Sequence, residues 1–140
     1  MADRQILATS GGFRAGGPGK MRLRRGPLVN HAIALTGKKR PKLCFLATAT
    51  GDPAARIVSM YDAFAGSDDV RVSHLELFPM PNLDDPAAHL LAQDVIWVGG
   101  GSVANLLAVW RVHGLDEIFR EAWERGIVLA GVSAGSLCWH

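Results

Sequence analysis

Residues 127–136 read IVLAGVSAGS, from Ile127 to Ser136. The first half is an apolar run of strand length entered from Gly126. The second half is a turn of small residues. Gly131-x-Ser133-x-Gly135 fits the nucleophile-elbow pattern G-x-S-x-G in the setting that pattern needs: strand, sharp reversal, helix start. Side chains two positions either side of a serine on such a turn would collide, and glycine removes them. The turn would expose a hydroxyl at a helix N-terminus, where free N–H groups favour a developing oxyanion. A strand that merely ends in small residues would look the same.

Upstream, apolar runs and helical segments alternate. Gln5–Thr9 (QILAT), Leu43–Ala47 (LCFLA), Val70–Leu77 (VRVSHLEL), Asp94–Val98 (DVIWV) and Ile127–Val132 are expected strands. LCFLA and DVIWV are continuous apolar runs, as in strands buried on both faces, whereas VRVSHLEL alternates and suits a place nearer an edge. Helices are expected over 27–36, from about 53 to 64, over 84–93, from Val103 to about Val112, and from Asp116 to a stop at Gly126. Pro27, Pro53 and Pro86 open helices, Asp52 and Ser102 are cap candidates, and Gly37 ends the first helix. Residues 11–26, rich in Gly and Arg, have no periodicity and read as a loop, with at most a short extended piece. This order implies a three-layer α/β fold, a mostly parallel sheet with helices on both faces. No linker or repeat divides residues 1–140, so one domain is expected.

In such sheets ligands bind at the carboxyl ends of the strands. Ser10-Gly11-Gly12, Thr48–Asp52, Gly99-Gly100-Gly101 and the serine turn all fall there. The triple glycine can be read in three ways. It can be a flexible turn. It can be a dinucleotide loop, since Gly99-x-Gly101-x-x-Ala104 fits G-x-G-x-x-G/A; Asp116 and Glu117 lie near the required distance for the partner acid but open a helix. Or it can be half of an oxyanion hole, because glycine lets a carbonyl oxygen approach backbone N–H groups and Ala134 would supply the second donor.

The stretches VGGGSVANLL (98–107) and GIVLAGVSAGSLCW (126–139) resemble the peptidase E family of serine peptidases, which includes dipeptidases that release N-terminal aspartate and the related cyanophycinases. TATGD (48–52) and ILATSGGF (6–13) look like actinobacterial-type members. The resemblance spans essentially the whole chain and is sharpest over 95–107 and 127–139. It implies a fold akin to class I glutamine amidotransferases. It also implies Ser133 as the catalytic nucleophile, Gly101 and Ala134 as oxyanion-hole donors, and Gly100 and Ser102 as substrate contacts. Ser102-Val103 stand where many aspartyl dipeptidases of the family have Asn-Thr, a departure that bears on aspartate preference.

Members of that family are longer, and their histidine and carboxylate follow the serine. None of the five histidines here suits the role. His140 lies seven residues beyond Ser133, about 10 Å of helical rise, and proton transfer needs about 3 Å. His113 falls at the far end of the helix after the glycine loop, His31 and His89 are mid-helix, and His74 is mid-strand. The chain is therefore expected to be the N-terminal portion of a longer catalytic domain, stopping after the elbow. Apolar surface would then be exposed, and a homodimer is one way to cover it. Two functions compete with a peptidase: an α/β-hydrolase-type esterase, and a catalytically inactive binding or assembly fragment.

Composition narrows the rest. The 140 residues are 49% apolar and 20% charged, enough for a core, with a net charge of +2 that gives no argument for nucleic acid. Arg14, Lys20, Arg22, Arg24, Arg25, Lys38, Lys39 and Arg40 form a basic set with only Phe13 nearby, which reads as solvated loops. Cys44 and Cys138 show neither metal spacing nor a disulfide framework, so buried thiols are expected. No cofactor or metal is implied. Without a signal-like segment or an apolar run near the ~20 residues of a membrane span, a cytoplasmic protein with a small peptide substrate is expected.

Overall fold

The computed structural model describes residues 3–16 and 23–140. Strands β1 (Ile6–Thr9), β2 (Phe13–Ala15) and β3 (Leu23–Arg25) come first, then helix α1 (Pro27–Ala34), β4 (Lys42–Leu46) and a single 3-10 turn at Thr48–Thr50. Helix α2 (Ala54–Phe64), β5 (Arg71–Leu75), α3 (Pro86–Leu91) and β6 (Val95–Val98) follow. The chain closes with α4 (Val103–Val112), α5 (Leu115–Glu124), β7 (Val128–Val132) and α6 (Ala134–Leu137). Five strands form one sheet in the order β1-β7-β6-β4-β5, every neighbouring pair parallel.

The apolar runs explain the layers. In β4, β6 and β7 almost every residue is buried, so both faces of the sheet need cover. Cys44, Leu46, Ile96, Val98 and Leu129 face one cluster with Leu90, Leu106, Trp110, Phe119 and Ala122 of α3, α4 and α5. Leu43, Phe45, Val95, Trp97, Val128 and Ala130 face the opposite cluster with Val29, Ala32, Met60 and Phe64 of α1 and α2. The three layers expected from strand–helix alternation are thus present.

Three local readings change. Residues 13–25 hold an antiparallel pairing of β2 with β3, with Phe13 opposite Arg25. Phe13 explains its place: its ring meets Trp97 edge-on at 5.7 Å and Phe64 at 6.0 Å, burying the hairpin's apolar end against the α1–α2 face. Asp52 does not cap α2, whose N-cap is Pro53 without a side-chain bond. Its Oδ2 instead accepts from the N–H groups of Leu77 (2.6 Å) and Phe78 (3.1 Å), tying the turn after β4 to the end of β5. Finally, the basic set is partly paired: Arg25 with Asp69, Lys38 with Asp94 and Arg40 with Asp68. Lys20 and Arg22 lie outside the described residues.

Both thiols are free. Cys44 is buried and Cys138 half-buried, and burial pushes each up to about 12. A groove of about 460 Å³ opens beside Ile6, Trp110, Phe119, Trp123, Trp139 and His140. Among the described residues, no helix is long and apolar enough to cross a membrane.

Candidate active site

Strands β1, β4, β6 and β7 run parallel, so the segments after them meet at one edge of the sheet. Ser133 ends β7 and is the N-cap of α6, with φ 56° and ψ −116°. That conformation is unfavourable for a residue with a Cβ and points to a backbone held by its surroundings. The surroundings are specific. A Cβ at Gly131 would lie 2.1 Å from Gly135 O, and one at Gly135 would lie 2.0 Å from Val98 O. The two glycines of the pattern are thus required by close backbone approaches, one to each other and one to the neighbouring strand.

The edge strand β1 holds the turn from the other side. The Ser133 N–H donates to Thr9 O at 3.1 Å, and the Thr9 hydroxyl reaches Gly131 O at 2.9 Å and also contacts Gly11 O. The Ser133 carbonyl accepts from the N–H groups of Ser136 and Leu137 and from the Ser136 hydroxyl. Every backbone group of Ser133 is therefore committed. Its side chain is exposed, and its hydroxyl has no hydrogen-bond partner among the described residues.

The glycine loop converges on this serine. A Cβ built on Gly100 would stand 3.4 Å from Ser133 Cβ and 3.9 Å from Ser133 Oγ. Gly101 has φ 144°, and a Cβ there would fall 2.3 Å from Ala49 O. Ala49 O also accepts the Ser102 N–H at 2.9 Å, so the 3-10 turn after β4 buttresses the loop. Thr48 Oγ1 in turn accepts from Trp110 Nε1 at 3.3 Å, locking that turn to α4. Among the described residues, the N–H groups of Gly100, Gly101 and Ala134 have no acceptor. Ser102 Oγ accepts from the Asn105 N–H at 3.2 Å as the cap of α4, which leaves its hydroxyl hydrogen available.

The structure thus gathers Ser133, Ala134 and Gly100–Ser102 at one edge. The histidines have other surroundings. His74 Nδ1 bonds Tyr61 Oη at 2.6 Å and its Nε2 bonds Glu76 at 3.0 Å. His89 bonds Ser73 Oγ at 2.9 Å, and burial lowers its pKa. His113 caps the far end of α4, His31 lies in α1, and His140 lines the groove beside Ile6 and Trp139. Sequence reasoning missed Thr9 and Ala49. Ala49 acts through its backbone carbonyl and Thr9 through its carbonyl and its hydroxyl, on a turn 122 residues away, so no local pattern marks either.

The chain as a whole is similar to known proteins. The profile of peptidase family S51 matches residues 13–140. "Uncharacterized peptidase YgaJ" of Bacillus subtilis (strain 168) is 41% identical over 136 residues, covering 97% of this chain and 56% of the relative. A solved structure of a proposed peptidase E protein from Listeria monocytogenes EGD-e matches with a TM-score of 0.64 at 20% identity. That match covers 96% of this chain and 60% of the other, so the chain spans a little over half the length of both. With the profile matching all but its first twelve residues, this chain belongs to peptidase family S51.

Proposed function

We propose that the protein is a serine-type peptidase, a dipeptidase of small peptides, that works through an acyl-enzyme on Ser133. The observation that carries this reading is the exposed Ser133 hydroxyl on a φ 56° turn, beside the Gly100 backbone, whose Cβ position falls 3.9 Å from Ser133 Oγ, with unpartnered N–H groups on both sides. Ser133 Oγ attacks the scissile carbonyl while a base takes its proton. The carbonyl oxygen becomes an oxyanion that accepts from Gly101 and Ala134 N–H, geometry that stabilises the transition state more than the substrate. Collapse expels the amine, which receives the proton, and water then hydrolyses the ester. Gly100 and the Ser102 hydroxyl contact the substrate beside the carbonyl. The base and its carboxylate are assigned to a part of the domain outside residues 1–140, which span 56% and 60% of the two relatives' lengths.

The test is labelling of the natural full-length protein with a fluorophosphonate, alongside hydrolysis of a dipeptide panel. Labelling at Ser133 and turnover that Ser133→Ala removes are expected. Turnover that survives Ser133→Ala would overturn the assignment.

A further inference from the structure

On the α1–α2 side of the sheet, a pocket of about 170 Å³ opens at the same carboxyl edge. Its body is apolar: Phe13, Leu23, Met60 and Trp97 supply side chains, and the ends of β4 and β7 supply Ala47 and Val132. Gly99 and Gly100 form one wall. Gly100 is therefore shared, lining this pocket while a Cβ built on it would stand 3.9 Å from Ser133 Oγ. A hydrocarbon cavity of ~150 Å³ holds a benzene molecule, so a leucine- or phenyl-sized group fits. Arg56, on α2, is the one charged residue in the described lining, and it is exposed. Among the described residues Arg56 has no carboxylate partner and no side-chain hydrogen bond, whereas Arg25, Lys38 and Arg40 each have an acid.

An apolar pocket with one free guanidinium at its mouth matches a ligand that carries a hydrocarbon group and a carboxylate close together. The C-terminal residue of a dipeptide is such a ligand: its side chain and its α-carboxylate leave the same carbon. We infer that this pocket takes the leaving residue of the substrate, an apolar amino acid whose free carboxylate is held by Arg56. The inference rests on Ser133 being the nucleophile. It adds a reason for dipeptide length, because a longer peptide or an amide presents no carboxylate at that position. Arginine suits the task, since its planar fork binds a carboxylate through two parallel bonds.

The experiment compares Ala-Leu, Ala-Gly, Asp-Ala and the amide of Ala-Leu on the full-length protein and its Arg56→Gln variant. Ala-Leu is expected to exceed Ala-Gly in kcat/KM by about tenfold or more. Arg56→Gln should raise KM for Ala-Leu by about ten- to a hundredfold, the size of a charge-assisted bond, and leave the already poor amide unchanged. An equal effect on acid and amide, or a preference governed by the first residue alone, overturns the inference. Titration of Ala-Leu into the Ser133→Ala protein separates the two ideas. Binding that Arg56→Gln weakens by about tenfold or more supports the pocket even if Ser133 takes no fluorophosphonate. No binding, or binding that Arg56→Gln leaves unchanged, overturns the pocket even if Ser133 is labelled.

Discussion

The carbonyl oxygen of Val98 lies 2.0 Å from where a side chain at Gly135 would begin. Helix α6 thus starts directly against the end of β6, with no room for a methyl group. Gly135→Ala should push the turn away from β6 and cost at least about 2 kcal/mol, as overpacking of a tight site does. The measurement is the urea midpoint, read together with fluorophosphonate labelling, which should fall in parallel. An unchanged midpoint would mean that the turn can shift freely.

The serine itself should be a source of instability. Its φ of 56° and ψ of −116° are costly for any residue with a Cβ, on the order of 1–3 kcal/mol. Ser133→Gly should therefore stabilise the protein by roughly that amount, less the entropy that glycine adds to the unfolded chain. Ser133→Ala keeps the Cβ and should leave stability within about 0.5 kcal/mol. Both should eliminate labelling. Thermal unfolding of the two variants side by side reads the difference.

Gly100 permits the complementary test, function without fold. A methyl there would stand 3.4 Å from Ser133 Cβ and 3.9 Å from Ser133 Oγ, close but not overlapping. Gly100→Ala should fold normally and yet crowd the carbonyl of a bound peptide. Misplacing a reacting group by about an ångström costs on the order of a hundredfold, and kcat/KM should fall by about that factor.

Asp52 supplies a pH dependence. Burial raises its pKa from the ordinary 3.8, against the lowering effect of the Leu77 and Phe78 N–H bonds. The folded state then holds the proton more tightly than the unfolded chain. The associated stability is fully present below the unfolded value and is lost as pH rises through the folded one. Asp52→Asn keeps an oxygen for Leu77 and Phe78, tolerates the φ of 56° and has no charge to bury. Relative to that variant, the wild-type protein should lose stability between about pH 3 and neutrality. Asp52→Ala should cost about 1–3 kcal/mol at low pH by leaving buried N–H groups unpaired, and less as pH rises. Urea melts across that range check both.

What the sequence made legible was whatever is local or fully apolar. DVIWV and IVLAGV have one physical solution, a strand covered on both faces, and they lie side by side in the sheet. The spacing of Gly131, Ser133 and Gly135 announced the turn because part of its steric demand, the approach of Gly131 to Gly135 O, falls within five residues, although the approach of Gly135 to Val98 O does not. The β2–β3 pair escaped because each strand is three residues long and carries no alternation; Phe13 is held by Trp97 and Phe64, which lie far along the chain. Asp52 misled for a similar reason. A carboxylate one residue before Pro53 has the look of a helix cap, and only the return of Leu77 and Phe78 in space reveals its partners.

The tie between Thr9 and Ser133 has a consequence for how the molecule comes into being. Among the described residues, strand β1 comes first and within the sheet it pairs only with β7. The contact between Thr9 and Gly131 spans 122 residues. During synthesis the first strand has no partner until nearly everything described here has been made. Closing so long a loop is among the slowest and most entropically costly steps available to a domain. The serine turn, fastened by that closure, is therefore expected to be assembled late in folding. A nascent or half-folded chain would thus carry Ser133 on ordinary backbone, and the reactive geometry would arise only once the two ends of the sheet's chain have met.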